Sequence, residues 1–247
     1  MLECKNLEKR FGSIHAVRGI SFKVEEGEIL GFLGPNGAGK STTMRMITGF
    51  IPPNGGTASI CGHDILRQPV QAKTCLGYLP ENAPVYAEMT VTNFLKFVAG
   101  IRGYRGAALT DLVESTIEKC HLQKVRRQMV ETLSKGYKQR VCFAQAVLHD
   151  PPVLVMDEPT DGLDPNQKHT VRTMIKEMAS KKAIIISTHI LEEVDAVCSR
   201  AIIISDGKVV ANGTPAELKA KSPSGRLEDV FRELTIGSEE VLTRAHR

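Results

Sequence analysis

The chain has 247 residues, 42% hydrophobic and 24% charged, with a formal net charge of +4. That length and apolar content supply one large domain or two small lobes with a buried core, and they exclude a disordered chain. The mild positive balance is compatible with an anionic ligand or a membrane surface but does not demand nucleic acid, and six scattered cysteines without a CxxC pair point to reduced thiols rather than a disulfide frame or a zinc site.

The opening MLECKNLEKR has no apolar h-region, so no secretory signal is expected. Residues 1–33 alternate short apolar runs with turn signals at Gly12-Ser13 and at EEGE, 25–28, which predicts a strand-rich opening with hairpins. ILGFLG at 29–34 is a continuous apolar run, as a strand buried on both faces requires. GPNGAGKST at 34–42 follows, and then TMRMITGF carries apolar residues at helical spacing and stops at Gly49. PPNGG at 52–56 is a turn cluster before the short strand TASICG. From about Thr90 to His149 the pattern is helical: TVTNFLKFVAGIRGY and LTDLVESTIEKCHL place apolar residues at i, i+3, i+4 and i+7. VLVM at 153–156 restores a doubly buried strand. After it come an amphipathic helix (NQKHTVRTMIKEMASK), a strand (AIIIS), a helix (LEEVDAVCS), and a strand with a hairpin (AIIIS-DGKVVANG). The two AIIIS runs, at 183–187 and 201–205, are the longest apolar stretches, far short of the ~20 residues that span a bilayer. Strands alternating with helices predict a parallel, doubly wound sheet in a soluble α/β protein, with a short helical tail over 221–247.

The chemistry lies at the strand ends. Gly34, Gly39, Lys40 and Ser41 satisfy GxxxxGK[ST] between a predicted strand and a predicted helix. Glycines let consecutive N–H groups turn into one concavity, and the helix adds its unpaired N–H groups and positive dipole end. Lys40 places a point charge on β/γ-phosphates, and the Ser41 hydroxyl suits Mg²⁺. Asp157 ends the VLVM strand beside that loop, where it can hold the metal through a water. Glu158 points elsewhere and can polarise an attacking water. His189 follows the next strand and can donate to a γ-phosphate, although an isolated histidine there is more often a surface residue. LSKGYKQR supplies a second phosphate-suited helix start at Ser134 and Gly136, which alone reads as an ordinary cap.

In this order the motifs resemble those of the ATP-binding cassette family, the nucleotide-binding subunits of ABC transporters, over residues 1–220. Gly34, Pro35, Asn36, Gly37, Ala38, Gly39, Lys40, Ser41 and Thr42 are similar to the Walker A loop, and VLVMDEP to Walker B. Ser134, Lys135, Gly136 and Tyr137 stand in the signature loop, Asp164 in the D-loop, His189 at the switch histidine, and Phe11 at the aromatic that stacks on adenine. Glu81 in GYLPEN replaces the usual Q-loop glutamine; a carboxylate there either approaches Mg²⁺ or repels phosphate. Lys135 and Tyr137 replace the commoner Gly and Gln, and with the tail LEDVFRELT they resemble the type-two exporter branch of drug-resistance, gliding and copper-enzyme-maturation systems.

The resemblance implies a P-loop NTPase core with a mostly parallel sheet, an N-terminal antiparallel β subdomain, and an α-helical subdomain inserted at about 85–150. It implies ATP and Mg²⁺ as cofactors, and Glu158, His189 and Lys40 as catalytic residues. It also implies a head-to-tail dimer, expected to be of identical chains, in which Ser134 and Gly136 act in trans and Asp164 bridges. An integral membrane permease is the further partner, no nucleic acid is expected, and the place is cytoplasmic, on the inner face of the cell membrane. A soluble cassette ATPase of nucleic-acid repair or translation is the alternative, but the long coiled coils, zinc modules or second cassette of such relatives are not seen in this sequence. A nucleotide-gated binding module without hydrolysis is the third reading, against which Asp157, Glu158 and His189 argue.

Overall fold

The computed structural model describes residues 1–82 and 85–235. β1 (Leu2–Phe11) and β2 (Ile14–Val24) form an antiparallel hairpin around Gly12-Ser13. β3 (Ile29–Leu33) leaves for a second sheet and is followed by α1 (Lys40–Ile47), after which β4 (Gly55–Ile60) and β5 (His63–Asp64) return to the first. That first sheet is antiparallel in the order β2-β1-β4-β5. Next come α2 (Pro69–Thr74) and β6 (Leu76–Leu79), then α3 (Val91–Ile101), α4 (Gly106–Lys119) and α5 (Lys135–Val147). β7 (Val153–Asp157), α6 (Pro165–Ala179), β8 (Ala183–Thr188), α7 (Leu191–Val197) and β9 (Arg200–Ser205) follow. β10 (Lys208–Gly213) and α8 (Pro215–Lys219) come last among the named elements. The second sheet runs β10-β9-β3-β8-β7-β6, parallel except for β10.

Every residue of β3, β7 and β8 is buried, because both faces of the parallel sheet are covered. The period of two along each strand sends alternate side chains to different cores. Leu30, Phe32, Val153, Val155 and Ile185 join Met44, Met46 and Ile47 of α1 under the antiparallel sheet. Ile29, Leu33, Leu154, Met156 and Ile184 face the helices instead. The molecule is therefore three layers, with α1 held between the two sheets.

The helices of the 85–150 stretch do not have a core of their own. Phe94, Leu95, Val113, Ile117 and Phe143 belong to the same apolar cluster as the helix-facing side of the parallel sheet. Gly77 of β6 explains how α5 comes so close: a Cβ there would stand 2.2 Å from the Ala146 carbonyl oxygen. β6 and α2 have no counterpart in the sequence pattern, since four and six residues are too few for a period to show. The tail is helical over 227–235, with Leu227 and Val230 buried. The rest of the expected tail helix, 236–247, lies outside the described residues. Among the described residues all six cysteines are free, and no helix is long and apolar enough to cross a membrane.

Candidate active site

The glycine loop starts where β3 ends. A Cβ on Gly34 would stand 2.5 Å from the Ile204 carbonyl oxygen, so the strand can leave the sheet there only without a side chain. Gly39 takes a φ of 101°, which L side chains rarely adopt, and caps α1 by backbone conformation alone. A Cβ on Gly39 would meet the Ala16 carbonyl oxygen at 2.5 Å, so β2 roofs the loop closely. Lys40, the first residue of α1, is only 6% exposed, and its Nζ donates to the Gly34 and Pro35 carbonyls at 2.7 and 3.2 Å. Burial lowers its pKa, opposed by the nearby charges of Glu158, Asp157 and Glu81.

The two adjacent carboxylates are separated by a backbone kink. Asp157 ends β7 fully buried, and its Oδ1 accepts from the Ser41 hydroxyl at 3.2 Å and from the Ser187 hydroxyl. Glu158 then turns out of the sheet at a φ of 50°, a left-handed conformation that costs a non-glycine residue about 1–2 kcal/mol. Its N–H donates to the Ser187 carbonyl at 3.1 Å, which holds the kink. The kink sends the Glu158 carboxylate to His189, 3.0 Å from Nδ1, and to Lys40, 3.9 Å from Nζ. Burial raises the Glu158 pKa, with His189 and Lys40 pulling it down. A carboxyl with that tuning suits general-base work better than an ordinary surface glutamate.

These groups converge on a cleft of about 430 Å³, lined by Asn36, Gly37, Lys40, Ser41 and Thr42 of the loop, with Glu81, Glu158, Asp161 and His189. The cleft lies outside the carboxyl ends of β3, β6, β7 and β8, where open α/β sheets place their ligands. Pro35 and Ala38 shape the loop through the bond from the Ala38 N–H to the Pro35 carbonyl, 3.2 Å. Asp161 and Ala16 also line the cleft and were not among the residues singled out in the sequence. Asp161 carried a usable signal, a third carboxylate in DEPTD one residue before Gly162 at φ 63°.

Phe11, Ser134, Lys135, Gly136, Tyr137 and Asp164 do not line the cleft. Phe11 is half exposed at the tip of the β1–β2 hairpin, with Lys9 Nζ 5.4 Å from its ring centroid. Ser134 caps α5, accepting from the Tyr137 N–H at 3.5 Å, and Gly136 is buried against the Gln167 side chain. Lys135 reaches toward Asp161, Nζ to Oδ2 3.9 Å, and Tyr137 stacks under the Arg140 guanidinium at 4.2 Å. Asp164 caps α6 by accepting from the N–H groups of Asn166 and Gln167, each at 3.0 Å.

Among the described residues no group of three or more His, Cys, Asp or Glu side chains is placed to hold a metal. The Ser41 hydroxyl and the Asp157 carboxylate are two adjacent hard oxygen donors, a pair that suits Mg²⁺, which keeps most of its waters and substrate phosphate oxygens. A larger cavity of about 770 Å³ lies on the other side of Glu81, lined also by Arg45, Phe50, Lys73, Tyr78 and Arg102. Burial and the nearby Asp157 push the Tyr78 hydroxyl up to about 12. Glu81 therefore borders both spaces.

A family model described as ABC transporter matches residues 17–161. The chain is 35% identical over 240 residues to the probable multidrug ABC transporter ATP-binding protein YbhF of Escherichia coli, covering 95% of this chain and 41% of that one. It thus spans about two fifths of the length of that relative. It is 37% identical over 218 residues to the Nod factor export ATP-binding protein I of Burkholderia lata, covering 88% of this chain and 72% of that one. A solved structure of an ATP binding subunit of an ABC transporter superposes with a TM-score of 0.85 at 31% identity, covering 95% of this chain and 99% of the other.

Proposed function

This chain belongs to the ABC transporter family, and from that premise we propose that it binds and hydrolyses ATP to power export through a separate membrane permease. The observation that carries the reading is the meeting of Lys40, Ser41, Glu158 and His189, from three strand ends, on one cleft, with Asp157 directly behind Ser41. ATP lies with its phosphates on the Gly34–Thr42 loop, its adenine stacked on Phe11, and its charge met by Lys40 and the start of α1. Ser41 and Asp157, the latter through a water, would hold Mg²⁺, which would neutralise phosphate charge. Glu158 accepts a proton from water as that water attacks the γ-phosphorus; the bond to the β–γ bridging oxygen breaks and ADP leaves. His189 donates to the γ-phosphate and, through the contact at 3.0 Å, orients Glu158.

A second copy of the chain completes the site. Its Ser134, Lys135, Gly136 and Tyr137 cap the nucleotide from above, and Asp164 bridges the two copies. The core runs over 1–220, with the 85–150 helices as an inserted lobe and 221–247 as a tail. The permease reaches the larger cavity beside Glu81 from the membrane, so the protein works on the inner face of the cell membrane. The name of the Nod factor export relative supports export as the direction. Steady-state phosphate release with Mg·ATP tests the reading: Glu158→Gln is expected to lose at least about a hundredfold in turnover while still binding ATP. Undiminished release by that variant would refute the assignment.

A further inference from the structure

α7 needs an external anchor. It has seven residues, Leu191–Val197, too short to hold a helix unaided. Its cap position is Ile190, whose side chain offers no hydrogen bond to the first turn. The last residue before that cap is His189. The histidine is therefore held between the end of β8, where Thr188 Oγ1 accepts from the Ile190 N–H at 3.0 Å, and the first turn of α7.

Val194 and Val197 bury the helix in the helix-facing core, and its first turn is held by an ion pair to α6. Arg172 donates through Nε to Glu193 Oε2 at 3.0 Å and through Nη2 to Glu193 Oε1 at 2.6 Å, a parallel two-bond fork. Glu193 is 4% exposed, sits in the first turn of α7 where the helix dipole favours an anion, and among the described residues pairs with no other charge. The hydrogen bonds that Arg172 donates to Glu193 raise the guanidinium's pKa further. Two bonds in one plane fix rotation as well as distance. At its other end α6 meets the start of α5: a Cβ on Gly136 would stand 2.2 Å from Gln167 Cδ, and Asp164 caps the helix beside it. One rigid helix thus touches the Ser134–Tyr137 loop with its first turn and holds the His189 segment with its middle.

We infer that Arg172 and Glu193 are positioning residues for the hydrolysis, setting His189 against Glu158 and the γ-phosphate and linking that placement to the loop that caps a partner's nucleotide. This rests on the reading that His189 contacts the γ-phosphate. Neither side chain lines the cleft, so their effect on nucleotide must pass through α7.

The test compares a non-hydrolysable ATP analogue, which has a γ-phosphate, with ADP, which lacks one, by calorimetry on the full chain. His189→Ala is expected to weaken the analogue about tenfold and leave ADP unchanged. Glu193→Gln and Arg172→Gln should show the same selective loss, Arg172→Lys a smaller one, and Glu193→Gln added to His189→Ala no further loss. The swapped pair Arg172→Glu with Glu193→Arg should restore part of the analogue affinity. If Glu193→Gln leaves both affinities unchanged, weakens ADP equally, or adds its full effect to His189→Ala, the inference is overturned. If His189→Ala itself does not distinguish the two nucleotides, the γ-phosphate role of His189 fails first and the inference falls with it. Arg172→Lys keeps the buried charge, so the comparison survives even if a neutral variant does not fold.

Discussion

α1 and α5 both begin with unpaired main-chain N–H groups, but the surroundings of the two starts differ. The start of α1 is enclosed: Gly39 caps it in a left-handed turn, β2 roofs it at Ala16, Lys40 is buried, and Asp157, Glu158 and His189 close the side. The start of α5 is open: Ser134 and Lys135 are exposed, and only a long bond from the Tyr137 N–H completes the cap. The difference teaches where each can act. An anion at α1 meets a walled cleft with a charge already in it, whereas an anion at α5 would keep one face in water until another surface covers it.

Removing the charge at the enclosed start should have the largest effect on binding. Lys40→Ala is expected to weaken Mg·ATP about a hundredfold in calorimetry, since its ammonium is preset and shielded from water. Retained affinity would mean that the loop's N–H groups suffice and that the comparison overstates the lysine. At the open start the effect should fall on turnover alone. Ser134→Ala is expected to leave ATP binding by separate chains within about twofold and to lower steady-state turnover about tenfold. A matching loss of binding would place Ser134 in its own chain's site and erase the contrast between the helices.

The smallest expected effect concerns stability. Burial holds the Glu158 carboxyl above its ordinary pKa, so folding favours its protonated form. That contribution is fully present below the unfolded value and is lost as pH rises through the folded one. Glu158→Gln, which cannot ionise, should therefore melt at a higher temperature than the parent near neutral pH. The gain should shrink as pH falls through the folded pKa. A lower melting temperature at neutral pH would show that the contacts to His189 and Lys40 outweigh the burial.

The enclosed start was the more legible of the two in the sequence. GxxxxGK[ST] between a strand and a helix encodes its own geometry, because the glycines, the cap and the lysine are consecutive. The parallel sheet was legible for a similar reason: the VLVM and AIIIS runs are almost wholly apolar, as strands covered on both faces require. β6 was not, because Leu76–Leu79 is four residues long and depends on the close approach of α5 at Gly77, a long-range contact. Asp161 was legible only as a third carboxylate in DEPTD, because its place in the cleft comes from the left-handed turns at Glu158 and Gly162. The Arg172–Glu193 fork lies beyond any motif, since the two residues are 21 positions apart on helices whose packing only the fold decides.

The central claim is that the cleft of one copy is closed by the open helix start of another. It is tested most directly by mixing chains that carry Asn36→Cys with chains that carry Ser134→Cys, both in the Glu158→Gln background. The linked peptides are then identified by mass spectrometry after mild oxidation. The account expects a 36–134 link between different copies when Mg·ATP is present and none without nucleotide. A link that forms equally without nucleotide, or none at saturating Mg·ATP, would contradict it.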